Sequence, residues 1–179
     1  ASGLEVVALQ AELVDAVICE LFRLAHDSLP ASVRERTEGC AVVALGGYGR
    51  SELNPHSDID FMFLHSRQVA AGTRPLPYLS RIIDGVLYPL WDIGLKIGHS
   101  VRNVEDCVNI ANSDMQAKTS LIEARLITGD DVLFKRFQKT LVSKCVDGSE
   151  PEYIAMRLAD QDARRAKFGN SACMQEPNL

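Results

Sequence analysis

At 179 residues and 46% hydrophobic side chains, the chain is long enough for one domain with a real core, with room for an appended helical portion. No apolar run approaches a membrane span, and the N-terminus lacks the basic start, apolar core and cleavage site of a secretory signal, so a cytoplasmic protein without a membrane partner is expected. With 19 Lys and Arg against 24 Asp and Glu, the net charge of −5 disfavours extended nucleic-acid binding and leaves any nucleotide to be held by local cations and metal.

Residues 1–39 read as an N-terminal helix and a linker. Leu4 to His26 carries apolar residues at helical spacing, among them Leu9, Leu13, Val14, Val17, Ile18 and Leu21. Ser28 to Gly39, with Pro30 and the cluster Arg34-Glu35-Arg36, reads as a solvated connection. Cys40 to Leu45 is short, apolar and partly β-branched, the pattern of a buried strand, and it runs straight into Gly46-Gly47-Tyr48-Gly49-Arg50. Asp58 and Asp60 then open a second apolar run, Ile59 to Leu64, whose strand alternation puts both carboxylates on one side.

Ser66 to Pro77 is a polar loop with Gly72 and Pro75, followed by a predicted helix over Tyr78 to Asp92 that Pro89 should kink or end early. Trp91 is expected to pack beneath the sheet. Gly94 to Arg102 alternates enough for a third strand, which closes a sheet core at 40–103. A helical portion over 104–169 begins with Asn103 as N-cap and Glu105 and Asp106 in the first turn. Ser113-Asp-Met-Gln116 reads as a capping box that starts a helix closed by Gly129, with Met115, Leu121, Ile122, Leu126 and Ile127 on its buried face and Lys118 and Arg125 together on another. Asp130 and Asp131 cap a further helix, Lys144 to Pro151 is a turn, and Glu152 to Phe168 is a charged helix ended by Gly169; residues 170–179 form a tail. The cysteines, Cys19, Cys40, Cys107, Cys145 and Cys173, are scattered and odd in number, which supports neither a disulfide framework nor a zinc site.

The chemistry concentrates between Gly46 and Asp60. Glycines without side chains let the N–H groups of Gly46, Gly47 and Gly49 reach phosphate oxygens, with Arg50 as a cation. Two carboxylates beside such a cradle suit Mg²⁺ ions that activate an attacking oxygen and screen a leaving pyrophosphate. A calcium loop is excluded because Met62 and Phe63 stand where ligand and glycine are required, and a P-loop because no Lys-Ser/Thr follows the glycines. On the third strand the residues that face the carboxylates are Gly98, His99 or Ser100, depending on register. His99 is a candidate for a phosphate-facing role, and Arg102, at the strand end, for a phosphate contact.

The combination of strand, Gly-Gly-x-Gly-Arg, a short linker and Ser57-Asp58-Ile59-Asp60 resembles the signature of the DNA polymerase β nucleotidyltransferase superfamily. The run Leu90 to Arg102, then Glu105-Asp106-Cys107, Leu121 to Asp130 and the tail Gln175-Glu176-Pro177-Asn178 narrow the likeness to the N-terminal domain of the bacterial PII uridylyltransferases. The resemblance implies an α/β (α+β) fold, with a small mixed sheet packed with helices and a helical portion after it. It implies transfer of UMP from UTP to a tyrosine of the PII signalling protein with Mg²⁺. Carried over by position, Gly46, Gly47 and Arg50 match the phosphate-binding turn, Ser57 sits beside the metal pair, and Asp58 and Asp60 match the metal carboxylates. The superfamily's third-strand carboxylate is missing, as it is in this family, where the Gly98-His99-Ser100-Val101-Arg102 pattern is similar. The family's full proteins also carry a hydrolase domain and regulatory domains that do not fit in this length. The chain stops within the motif that begins at Glu176, so a truncated piece is expected. Related enzymes of other base or acceptor specificity, or a non-catalytic nucleotide-sensing module, are the alternatives.

Overall fold

A computed structural model describes residues 2–34, 39–66, 77–148 and 150–168. The polar loop after Ser66, the Glu35-Arg36 part of the charge cluster, Cys173 and the tail motif lie outside these residues.

The N-terminal helix α1 (Gly3–Asp27) starts at a capping box in which Ser2 accepts from the Glu5 N–H and Glu5 accepts from the Ser2 N–H. A short turn α2 (Ala31–Arg34) leads to strand β1 (Cys40–Ala44), buried along its whole length. One helical turn, α3 (Gly46–Gly49), separates it from β2 (Ile59–His65). Helix α4 (Pro77–Asp92) carries the chain back to β3 (Ile97–Asn103). Pro89 lies within α4 and does not end it; the residue four before it, whose carbonyl faces the proline ring, is Gly85.

Helix α5 (Val104–Ser113) has the predicted cap, with Asn103 accepting from the Asp106 N–H at 2.9 Å. The expected single helix from Ser113 to Gly129 is instead two elements. Helix α6 (Met115–Ile122) is capped by Asp114, one residue later than predicted, and Arg125–Gly129 forms strand β4. Leu126 and Ile127 fit an apolar helix face as well as a short strand, and pairing with the far side of β1 decides between them. Helix α7 (Asp131–Leu141) follows with Asp130 as its cap, then a π-helical turn at Val142–Val146 and helix α8 (Glu150–Phe168).

The sheet is mixed, in the order β3-β2-β1-β4: β1 runs antiparallel to β2 and β4, and β2 parallel to β3. One face buries Val42, Ala44, Phe61 and Phe63 against Val14 and Ile18 of α1 and Ile82 and Val86 of α4. The other buries Ala41, Val43, Met62 and Leu64 against Cys107, Val108, Leu121 and Phe137 of α5 to α7. Full burial of side chains of this size stabilises by about 1.5–3 kcal/mol each, so both layers contribute to holding the strands around the glycine turn. The expected α/β architecture, a small mixed sheet packed with helices in the polymerase-β-like manner, is the observed one. Among the described residues no helix is long and apolar enough to cross a membrane.

Candidate active site

The site forms where the apolar layer stops. Ile59 is 5% exposed while its neighbours Asp58 and Asp60 are exposed, so the two carboxylates share the open side of the β2 start. Partial burial, and secondarily the charge of Asp58, raise the Asp60 carboxyl above its ordinary range. Crowded like charges of this kind are relieved by a cation.

The parallel register settles what faces them on β3. Asp60 pairs with Gly98, Met62 with Ser100 and Leu64 with Arg102, so Gly98, Ser100 and Arg102 share the Asp60 face. Gly98 is required here: a Cβ at this position would overlap Asp60 Oδ1, so only a residue without a side chain lets the carboxylate lie across β3. His99 pairs with Phe61 and points the other way, its ring 5.7 Å from that of Trp91 in an edge-on contact. Register therefore turns the His99 ring away from the Asp60 carboxylate, while the residue itself still borders the groove beside it. Trp91 is also not beneath the sheet. It is 44% exposed, beside Tyr88, past the end of the α4 stripe that reaches the core.

The glycine turn follows directly on β1. Gly46 takes φ +55°, which swings the chain out of β1 into α3. The first-turn N–H groups of Gly46 and Gly47 have no helical partner, whereas the Gly49 N–H donates to the Leu45 carbonyl at 3.0 Å and is not free for phosphate. Arg50 is held between carboxylates: Nε donates to Glu52 at 2.8 Å and Nη1 to Glu123 at 2.6 Å. Ser57 donates its hydroxyl to the Asn54 carbonyl at 2.9 Å, which shapes the turn that delivers Asp58.

An open groove of about 280 Å³ lies here, bordered by Leu45, Asp60, Gly98, His99, Ser100 and Arg102, and by Ala117 and Ser120 of α6. The sequence reading missed the α6 wall: outside the apolar stripe it singled out only the basic pair Lys118 and Arg125. Lys118 donates to the Cys145 carbonyl at 3.0 Å and borders a separate cavity of about 440 Å³ between α5, α6 and α8. Arg125, on β4, binds Asp15. The Ser120-x-x-Glu123 spacing, one helical turn, was the available signal for the wall that faces the glycines.

No cluster of three or more metal-binding His, Cys, Asp or Glu occurs among the described residues. Magnesium is commonly held by one or two carboxylates together with substrate phosphates, so Asp58 and Asp60 beside a phosphate cradle fit it. The fold is that of a polymerase-β-like nucleotidyltransferase domain.

The comparisons agree with that class. The family model for glutamate-ammonia ligase adenylyltransferase matches residues 4–76. Over 99% of its length the chain is 37% identical to a bifunctional uridylyltransferase/uridylyl-removing enzyme of Erythrobacter litoralis and 36% identical to one of Novosphingobium aromaticivorans. The chain spans 19% of the length of each of these curated relatives. It is a nucleotidyltransferase domain that matches the N-terminal region of the bifunctional uridylyltransferase/uridylyl-removing enzymes.

Proposed function

We propose that this domain transfers UMP from UTP to a tyrosine hydroxyl of the PII signalling protein, releasing pyrophosphate, as part of cytoplasmic nitrogen regulation. The observation that carries the reading is Asp60 on a groove that Leu45, the residue before the glycine turn, also borders, with Asp58 exposed two residues away, in a chain similar along its length to uridylyltransferases.

The first-turn N–H groups of Gly46 and Gly47 bind triphosphate oxygens, and Arg50 adds a fixed cation. Asp58 and Asp60 would hold Mg²⁺, which when bound would polarise the α-phosphate and screen the charge that develops on pyrophosphate. Arg102 and Ser100, on the Asp60 face of β3, border the path by which the acceptor reaches the α-phosphate. The tyrosine oxygen forms the new bond to phosphorus as the bond to pyrophosphate breaks, and the phenolic proton passes to water.

Calorimetric titration with UTP, ATP, CTP and GTP, each with and without Mg²⁺, tests the reading. UTP binding that needs Mg²⁺ and disappears in Asp58→Asn is the expected result, followed by labelling of PII from radioactive UTP. A second reading, adenylyl transfer from ATP, is favoured by the adenylyltransferase family model over residues 4–76. Preference for ATP over UTP would select it, and binding of no nucleotide would reject both.

A further inference from the structure

The triplet Glu123-Ala124-Arg125 joins α6 to β4, and its two charged side chains bind on different sides of the glycine turn. The turn sits directly on its backbone: a Cβ at Gly49 would overlap the Glu123 carbonyl oxygen. Towards the interior, Arg125 donates from Nη1 to Asp15 at 2.7 Å and from Nη2 to Asp15 at 3.1 Å and to the Tyr48 carbonyl at 3.3 Å. The same Asp15 accepts the Tyr48 hydroxyl at 2.6 Å, so this half of the triplet ties the turn to α1.

Towards solvent, Glu123 holds Arg50. With Nε on Glu52 and Nη1 on Glu123, the planar guanidinium is held at two points, which restricts its orientation. Its remaining arm, Nη2, lies beside the turn, where a Cβ on Gly47 would be 3.7 Å from it. Among the described residues no acceptor is assigned to that arm, and it lies close to Gly47, whose N–H has no helical partner.

We infer that Glu123 is a positioning residue for nucleotide binding: it holds the Arg50 fork so that Nη2 meets the triphosphate already oriented. The inference rests on the nucleotide-binding reading of the glycine turn. It predicts a requirement for reach and hydrogen bonding rather than for charge. Glutamine in place of Glu123 still presents an acceptor oxygen at the same distance, whereas aspartate keeps the charge and falls one methylene short.

The test is the dissociation constant for UTP with Mg²⁺, by calorimetry, for the protein and for Glu123→Ala, Glu123→Asp, Glu123→Gln, Arg50→Ala and the double variant Glu123→Ala/Arg50→Ala. Loss of a pre-oriented charged hydrogen bond is expected to weaken binding about tenfold in Glu123→Ala and nearly as much in Glu123→Asp, with Glu123→Gln within about threefold of wild type. In the Arg50→Ala background, Glu123→Ala is expected to cost nothing further. Equal or tighter binding by Glu123→Ala, or retention by Asp with loss in Gln, would overturn the inference, since Glu123 would then compete for Arg50 or act through its field. An undiminished loss in the Arg50→Ala background would overturn it too, by assigning Glu123 to the fold. If Glu123→Ala does not fold, the order of the Asp and Gln variants decides. Wild type that binds no nucleotide removes the reading of the turn and the inference with it; wild type that binds, with Glu123→Ala unchanged, removes only the inference.

Discussion

Between β2 and β3 the sheet alternates, residue by residue, between two kinds of surface. On the side of α1 and α4, Ile59, Phe61 and Phe63 are buried, and the neighbouring His99 and Val101 continue that side to the sheet edge beside Trp91. On the side of α5 to α7, Met62 and Leu64 are just as buried, but Asp60 is open and has Gly98 beneath it, with Ser100 and Arg102 further along. The site lies where the covering layer stops. The helical layer covers the ends of the strands on one face and stands back from their beginning on the other, and the groove left there is bordered by α6 and by Leu45, the residue before the glycine turn.

The contrast breaks most completely at the carboxylates. Asp58→Asn or Asp60→Asn is expected to lower the rate of nucleotidyl transfer by about a thousandfold or more while leaving the circular-dichroism spectrum unchanged, because each removes a metal-binding charge and almost no volume. Near-native turnover in either variant would place the metal elsewhere. Gly98→Ala is the sharper probe. Its added methyl would overlap Asp60 Oδ1, the end of a movable side chain, so the fold should survive while Mg²⁺-dependent nucleotide affinity falls about 10–100-fold. Unchanged affinity would mean that the carboxylate need not lie across β3.

Arg125→Ala tests the interior half of the turn's support. It leaves Asp15 and Tyr48 without their shared cation, and at these half-buried positions the expected cost is about 1–3 kcal/mol in urea unfolding. The Asp60 carboxyl gives a smaller, pH-dependent effect. Its folded pKa is raised by burial first and by Asp58 second, so the ionised form is disfavoured in the folded state. The stability that this group contributes is present below the ordinary carboxylate pKa of about 4 and is lost as pH rises through the raised value. Asp60→Asn should therefore melt progressively higher than wild type as pH increases over that window without Mg²⁺; a difference independent of pH would contradict the shift. The smallest effect is expected on the opposite face, where His99→Ala should change UTP affinity less than about twofold, since its ring lies against Trp91.

Much of this was legible in the sequence wherever the signal is local. The strand from Cys40, the second strand after Asp58 and the caps at Asn103 and Asp130 depend on neighbouring residues and stand as read, and the glycine turn differs only in that the Gly49 N–H is taken by the Leu45 carbonyl. The misreadings cluster where a distant partner decides. Residues 125–129 looked helical because Leu121, Ile122, Leu126 and Ile127 satisfy a helical stripe, yet the open side of β1 offers them a ladder of backbone hydrogen bonds.

The two strands and the side-by-side exposure of Asp58 and Asp60 were legible from local pattern, because strand alternation acts within a few residues, and the fold class followed from the family resemblance of the motifs. Only the tertiary structure decided that Gly98, rather than His99, lies across from Asp60, that α6 walls the groove, and that Glu123 grips Arg50. Those depend on strand register and on contacts between segments far apart in the chain, as with Arg50 and Glu123, 73 residues apart. Local periodicity does not encode such pairings; they are selected when both apolar layers close on the sheet at once.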